Sequence, residues 1–185
     1  MKIIAIIQAR MGSTRLENKV MKLINAKPMI ELLLMRLAKS KLIQKIVVAT
    51  SKDKKNLPLI KHVESLGLSC EQGSEDDVLD RYIQVADSYQ SDVVVRITGD
   101  CPLVDPILVD KCIEKFIQLD VDYCSNINPP TFPDGFDVEV IKLSALKKSY
   151  ESITSKFDKE HVTTHIISSG SFSKLNIAND KNFSD

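Results

Sequence analysis

Short unbroken apolar runs alternate with amphipathic stretches along most of the chain, the pattern of strands buried on both faces followed by helices with one dry side. Lys2 to Ile7 is the first run, and a polar loop from Gln8 to Asn18 follows it, holding the only glycine of the first 66 residues. Pro28 then stands where a helix can open, with Met29, Ile30, Leu33, Leu34 and Leu37 at helical spacing up to Ser40. The series continues with a buried strand at Lys45 to Thr50, a helix around Asn56 to Leu66, a short strand near Leu68 and a helix from about Glu75 to Tyr89. In that helix Val78, Leu79, Tyr82, Val85, Ala86 and Tyr89 share one face, which leaves Asp77, Asp80, Arg81 and Gln84 on the other. Asp92 to Thr98 is a further buried strand, closed by the turn Gly99-Asp100-Cys101-Pro102, and Pro106 opens a helix through about Gln118.

Beyond residue 120 the pattern changes. Val121 to Asn126 reads as a strand, Ile127 to Gly135 as a loop with three prolines, and Asp137 to Ile141 alternates like a half-buried strand, so residues 125–141 form an insertion near the mouth of the fold. Helices around Leu143 to Ile153 and Lys159 to Ser168 and a last strand, Phe172 to Ile177, close the series. The expectation is an α/β protein: a three-layer α/β/α sandwich with a mostly parallel, partly mixed sheet, formed as one domain over residues 1–185 without repeats or an interdomain linker.

Composition narrows the partners. Lysine plus arginine and aspartate plus glutamate number 25 each, so no overall positive field exists to hold a nucleic acid or an anionic membrane. The apolar run Ile3 to Ile7 is too short for a signal h-region and meets Gln8 and Arg10 at once, which points to the cytoplasm. Cys70, Cys101, Cys112 and Cys124 form no C-x-x-C pair and read as reduced thiols in or near the core.

In open α/β sheets ligands bind beyond the carboxyl ends of the strands, where the loop Gln8-Ala9-Arg10-Met11-Gly12-Ser13-Thr14-Arg15 leaves the first strand. Gly12 lets backbone approach an anion, Ser13 and Thr14 add hydroxyl donors, and Arg10, Arg15 and Lys19 bring three cations within ten residues. That combination suits a triphosphate, although solvated arginines on a surface turn would have the same composition. Neither G-x-x-x-x-G-K-[ST] nor G-x-G-x-x-G occurs, which removes support for a P-loop ATPase or a dinucleotide dehydrogenase. Asp100, just past a strand end, is the best carboxylate for a magnesium ion, or else a brace for its own turn. Ser74 before Glu75, Asp76 and Asp77 suits a helix cap as well as a ligand contact. Asp137 and Glu139 lie two apart on one strand face, as a D-x-D-like metal pair or simply as its solvated side. His161 and His165 stand four apart but lack the H-E-x-x-H arrangement of a zinc protease.

Several blocks, in order, resemble one family. Gln8-Ala9-Arg10-Met11-Gly12-Ser13-Thr14-Arg15-Leu16 with Lys19, then Lys27-Pro28-Met29-Ile30, Gly73 to Tyr82, Arg96 to Leu103, Phe132 to Glu139 and Glu160 to Thr163 look like cytidylyltransferases of spore-coat polysaccharide synthesis and of the acylneuraminate and Kdo CMP-sugar synthetase type. The resemblance implies a Rossmann-like, GT-A-like nucleotide-diphospho-sugar transferase fold and transfer of CMP from CTP to a sugar acid or related sugar, with pyrophosphate leaving. It implies that Ala9 to Thr14 cradle the nucleotide, that Arg10, Arg15 and Lys19 stabilise charge, and that Asp100 holds Mg2+ and is catalytic with them. Ser74, Asp77, Asp80 and Arg81 are implied in recognising cytidine, and Asn126, Asp134, Asp137, Glu139 and His161 in lining the acceptor pocket. A homodimer is implied as well. Two departures stand out: Glu17-Asn18 replaces the common Pro-Gly, and the second metal-binding aspartate of relatives has no evident counterpart before Asp185, as in a shortened chain or an altered metal site. The alternatives are a GT-A-type glycosyltransferase, opposed by the lack of a D-x-D at Thr98 to Pro102, and a nucleotide-binding module without catalysis.

Overall fold

The computed structural model describes residues 1–12 and 16–184. A seven-stranded sheet forms its middle layer. In chain order β1 (Ile3–Gln8) is followed by a small hairpin, β2 (Leu23–Ile24) and β3 (Lys27–Pro28), and by α1 (Met29–Leu37). Then come β4 (Lys45–Ser51), α2 (Leu57–Ser65), β5 (Ser69–Gly73), α3 (Val78–Ser88), β6 (Val93–Thr98) and α4 (Pro106–Leu119). The last third contributes β7 (Tyr123–Ser125), β8 (Glu139–Lys142), α5 (Leu143–Ser152), α6 (Lys156–His161), α7 (Thr164–Ser168) and β9 (Lys174–Asn176).

The strand order is β5-β4-β1-β6-β8-β7-β9. The first four run parallel, β8 pairs antiparallel with both β6 and β7, and β9 returns parallel to β7. The mixed three-layer architecture expected from the run pattern is therefore present. Strand geometry explains why β1 is apolar throughout: Ile3, Ala5 and Ile7 pack into a core with α1, α2 and α4, while Ile4 and Ile6 pack into a second core with α3, α5 and α7. Burying five such side chains between two helical layers stabilises by roughly 1.5–3 kcal/mol for each large aliphatic one.

Helix starts follow local chemistry. Asp105 caps α4 by accepting from the Ile107 amide, with Pro106 at the first position, and Asp77 caps α3 by accepting from the Asp80 amide. The α3 helix thus begins three residues later than its acidic run suggested, and Ser74 instead closes the preceding turn by accepting from the Asp77 amide at 3.0 Å.

Four expectations change. The hairpin β2–β3 interrupts the approach to α1; its turn residues Asn25 and Ala26 both adopt positive φ, at 48° and 63°, and alanine gives no sequence signal for that. The helix expected over Lys159 to Ser168 is two short helices, broken at Val162, whose φ of 67° strains a β-branched residue while its side chain is buried in the α3–α5 core. Arg81, assigned to the wet face of α3, is only 2% exposed, because Gly73 leaves room for its stem: a Cβ on Gly73 would lie 2.7 Å from Arg81 Cγ. Glu139 is not on a solvated strand face either, being 2% exposed and paired with Arg96 across the β6–β8 ladder, and Asp137 precedes the strand rather than sharing its face.

Candidate active site

β1 leads to β4 on one side of the sheet, while its other neighbour, β6, is entered only after β5, so the connections diverge between β1 and β6. A crevice at such a switch point is where open α/β sheets bind ligands. Two exits meet there. The Gly99 amide donates to the Gln8 carbonyl at 2.8 Å, extending the β1–β6 pairing into both loops. The contact is close enough that a Cβ on Gly99 would sit 2.8 Å from Ala9 Cβ and 2.9 Å from the Gln8 oxygen, so this position admits only glycine without displacing backbone.

On the other flank, buried Asn56 ties the loop down. Its Oδ1 accepts from the Met11 amide at 2.8 Å, and its Nδ2 donates to the Ser51 carbonyl and hydroxyl at 3.1 and 2.8 Å. The far end of the loop returns through the Asn18 amide, which donates to the Met11 carbonyl at 3.2 Å, and delivers Lys19 on a single helical turn, Lys19–Met21. Lys19 Nζ then reaches Asp100 Oδ2 at 2.6 Å.

Above these contacts opens a cleft of about 690 Å3, lined by Gln8, Ala9, Arg10, Gly12 and Lys19 from the β1 side and by Arg96 and Thr98 to Cys101 from β6. Asp134, Gly135 and Asp137 of the β7–β8 connection and His161 at the end of α6 complete the wall. A second hollow of about 530 Å3 lies at the opposite edge of the sheet, between Met1, Asp92, Phe116, Lys142 and Lys147, and holds none of the candidate residues.

Electrostatics separates the cleft's carboxylates. Burial works against the charge of Asp100, but hydrogen bonds from Lys19 and Thr98 and the Lys19 charge outweigh it and hold the carboxyl below its usual range. Asp137 goes the other way: burial, then the carboxylates of Asp134 and Glu139, push it up, and Arg96 offsets this only in part. Cys101 is no ready nucleophile, since burial raises its thiol to about 11. Arg10 is half-exposed at the rim, with Nη1 3.3 Å from Glu75 Oε1.

Of the residues singled out from the sequence, Ala9, Arg10, Gly12, Lys19, Asp100, Asp134, Asp137 and His161 line this one cleft. Ser13, Thr14 and Arg15 lie outside the described residues. The Met11 side chain packs into the core beneath the loop. Ser74, Asp77, Asp80 and Arg81 are not in the lining: Arg81 Nη1 donates to the Ser74 carbonyl at 2.6 Å, Asp80 accepts from Gln84, and Asp77 pairs with Lys159 Nζ at 2.9 Å. Asn126 clamps the connection between β7 and β8, donating to the Phe136 carbonyl and accepting from the Val138 amide. Glu139 is buried outside the lining, paired with Arg96. Gln8, Thr98, Gly99 and Arg96 enter the lining without having been singled out as site residues, although a lone arginine in the run Val93-Val94-Val95-Arg96-Ile97-Thr98 is a visible signal.

Among the described residues no three His, Cys, Asp or Glu side chains converge as a metal cage, and no helix is long and apolar enough to cross a membrane. Among relatives, an uncharacterized protein of Methanocaldococcus jannaschii is 43% identical over 90% of this chain and 67% of its own length. The spore coat polysaccharide biosynthesis protein SpsF of Bacillus subtilis is 34% identical over 89% of this chain and 69% of its own. The 3-deoxy-manno-octulosonate cytidylyltransferase of Geotalea daltonii is 36% identical over 64% of this chain, which spans 46% of that protein. Among solved structures, a cytidylyltransferase from Leptospira borgpetersenii superposes with a TM-score of 0.95 at 31% identity, covering all of this chain and 79% of the other, so the fold is that of nucleotide-diphospho-sugar transferases. With the cytidylyltransferase family model matching residues 4–182, nearly every residue that builds the sheet and the cleft, the chain belongs to the cytidylyltransferase family.

Proposed function

We propose that the protein transfers CMP from CTP to a hydroxyl of a sugar acid, releasing pyrophosphate, in the synthesis of a surface polysaccharide. The observation that carries this is the convergence of Arg10, Lys19 and an ionised Asp100 on one polar cleft at the sheet's switch point, in a chain of the cytidylyltransferase family. The names of the spore-coat and 3-deoxy-manno-octulosonate relatives support the acceptor class.

In this reading the loop after β1 takes the triphosphate, with Arg10 and Lys19 drawing charge from the phosphates as pyrophosphate departs and Arg15 joining them. Asp134, Asp137 and His161 face the acceptor. The cleft fits a divalent cation: Asp100 offers hard oxygen donors, is held in its charged form, and magnesium commonly takes one or two carboxylates together with phosphate oxygens. Asp100 would hold it, and the bound Mg2+ would supply Lewis-acid neutralisation of phosphate charge. No protein nucleophile is needed, in keeping with the raised Cys101 thiol. The enzyme acts in the cytoplasm, on CTP and a diffusible sugar, as a homodimer; a monomeric mass in sedimentation would remove the last point.

The test is incubation with CTP, Mg2+ and a panel of sugar acids while pyrophosphate is recorded. Release that requires one acceptor, with a CMP-sugar product, is the expected result. Tight CTP binding without pyrophosphate across the whole panel would instead mark a binding module.

A further inference from the structure

Arg96 is the one charged residue of β6, and its side chain is 13% exposed. It stands directly opposite Glu139 in the β6–β8 ladder, and its Nη1 ion-pairs with Glu139 Oε1. Glu139 is held in turn, because its Oε2 accepts from the Tyr123 hydroxyl at 2.7 Å. Buried pairs of this kind cost desolvation and are often no more stable than apolar side chains of the same size. Stability alone therefore gives little reason for it.

The pair leaves part of the guanidinium unused. Nη2 meets Gln8 Oε1 only at 3.4 Å, a long contact, and Nε has no partner although it is buried. An unpaired buried donor carries its full desolvation cost, so the Nε–Nη2 edge, with Gln8 at its long contact and Tyr82 beside it, is a bidentate fork short of one acceptor. Burial opposes the charge of Arg96, yet Glu139 beside it, with Tyr82, keeps the group protonated at all ordinary pH. Arg96 also lines the cleft with Asp100, Asp134 and Asp137.

We infer that the Nε–Nη2 edge of Arg96 receives the carboxylate of the acceptor, with Gln8 yielding its long contact, so that Arg96 selects sugar acids over neutral sugars. A carboxylate supplies two coplanar acceptor oxygens, the geometry that an arginine edge matches and a lysine cannot. Glu139 and Tyr123 position the fork; they do not touch the ligand. The inference rests on the CMP-transfer reading.

The experiment compares the sugar acid with its carboxamide in native protein and in Arg96→Lys, which keeps a cation beside Glu139 but removes the planar edge. The KM for the acid rises by about 10–100-fold, the worth of one or two charge-assisted hydrogen bonds, while CTP affinity by calorimetry is unchanged and the preference for acid over amide collapses. A merely structural role would lower Tm and weaken both acceptors alike, leaving the preference intact, and that result would overturn the inference. Should Arg96→Lys fail to fold, native protein labelled at arginine Nε decides: with five arginines in the chain, one buried Nε–H resonance must shift when the sugar acid is added and not with the amide. No shift overturns the role. Absence of pyrophosphate release by native protein with every acid sinks the transfer reading itself, whereas turnover with an unmoved preference sinks only Arg96.

Discussion

Lys19 Nζ lies 2.6 Å from Asp100 Oδ2, so the residue offered to the triphosphate and the residue offered to its metal neutralise each other across the β1–β6 switch point. Both side chains are about a third or more exposed, at 32% and 44%, so the pair contributes no more than about 1 kcal/mol to folding. Asp100→Asn should therefore leave Tm within a few degrees while turnover falls by more than about 100-fold, since changing even the outer partner of a metal ligand costs about 10–100-fold. Lys19→Met removes the hydrogen bond and the charge of Lys19 that, with the Thr98 hydrogen bond, hold the Asp100 pKa down. With a depressed folded-state pKa, Asp100 stabilises above its unfolded value of 3.8 and loses that contribution as pH falls through the folded one. In Lys19→Met the acid limb of the pH–rate profile moves to higher pH. An unmoved limb would detach Lys19 from Asp100 in the working enzyme.

Gly99→Ala tests the joint between the two strand exits. The new methyl meets Ala9 Cβ at 2.8 Å and the Gln8 oxygen at 2.9 Å, and one of these is backbone that cannot rotate away. Overpacking of this kind costs about 1–3 kcal/mol. The prediction is a lower Tm together with a loss of CTP binding larger than the stability change explains. Gly12→Ala is the contrast for stability alone, because no described residue lies within 4 Å of a Cβ there. If both substitutions prove equally mild, the close approach is not what shapes the cleft.

Asp137 makes a prediction of opposite sign. Its pKa is raised by burial and by neighbouring carboxylates, so the folded state holds the proton more tightly than the unfolded chain. Its contribution is then most favourable below the unfolded value of 3.8 and is lost as pH rises through the folded value. Asp137→Asn should accordingly raise Tm at pH 7, with the difference shrinking toward zero as the melts are repeated in acid, while acceptor turnover falls. A variant less stable than native at pH 7 would show that Asp137 is held by a partner rather than strained by its neighbours.

The fold was readable because β1, β4 and β6 are covered on both faces, which makes their sequences continuous apolar runs, and because Pro106 and the alternating face of α3 mark helices locally. What escaped depends on pairings far apart in the chain. Glu139 looked like half of a solvated carboxylate pair until antiparallel pairing set it opposite Arg96, 43 residues away. Arg81 looked exposed on α3 because periodicity says nothing of the space above Gly73. Arg10, Lys19 and Asp100 were candidates from strand-end positions and chemistry, with their roles implied only by the family resemblance, but Asn56 read only as the start of α2, and its link to Met11 spans 45 residues.

That link gives the last prediction. Asn56 uses both ends of its amide: the carbonyl oxygen must face the Met11 amide and the nitrogen must face the Ser51 carbonyl, so the orientation is set by backbone partners. Asn56→Ala leaves the buried Met11 amide and Ser51 carbonyl without partners, at about 1–3 kcal/mol for each unsatisfied group. Asn56→Asp keeps the acceptor for Met11 but sets a carboxylate against the Ser51 carbonyl and buries a charge without a counterion, so at pH 7 it should be no better tolerated than alanine despite its similar shape. Because the tethered segment carries Arg10 and Gly12 into the cleft, both variants should raise the KM for CTP before they impair the acceptor. Thermal melts and CTP titrations measure the two effects separately. An Asn56→Asp protein with native Tm and native CTP affinity would mean that the loop after β1 is held by its other contacts, Gly99 to Gln8 and Asn18 to Met11, and not by Asn56.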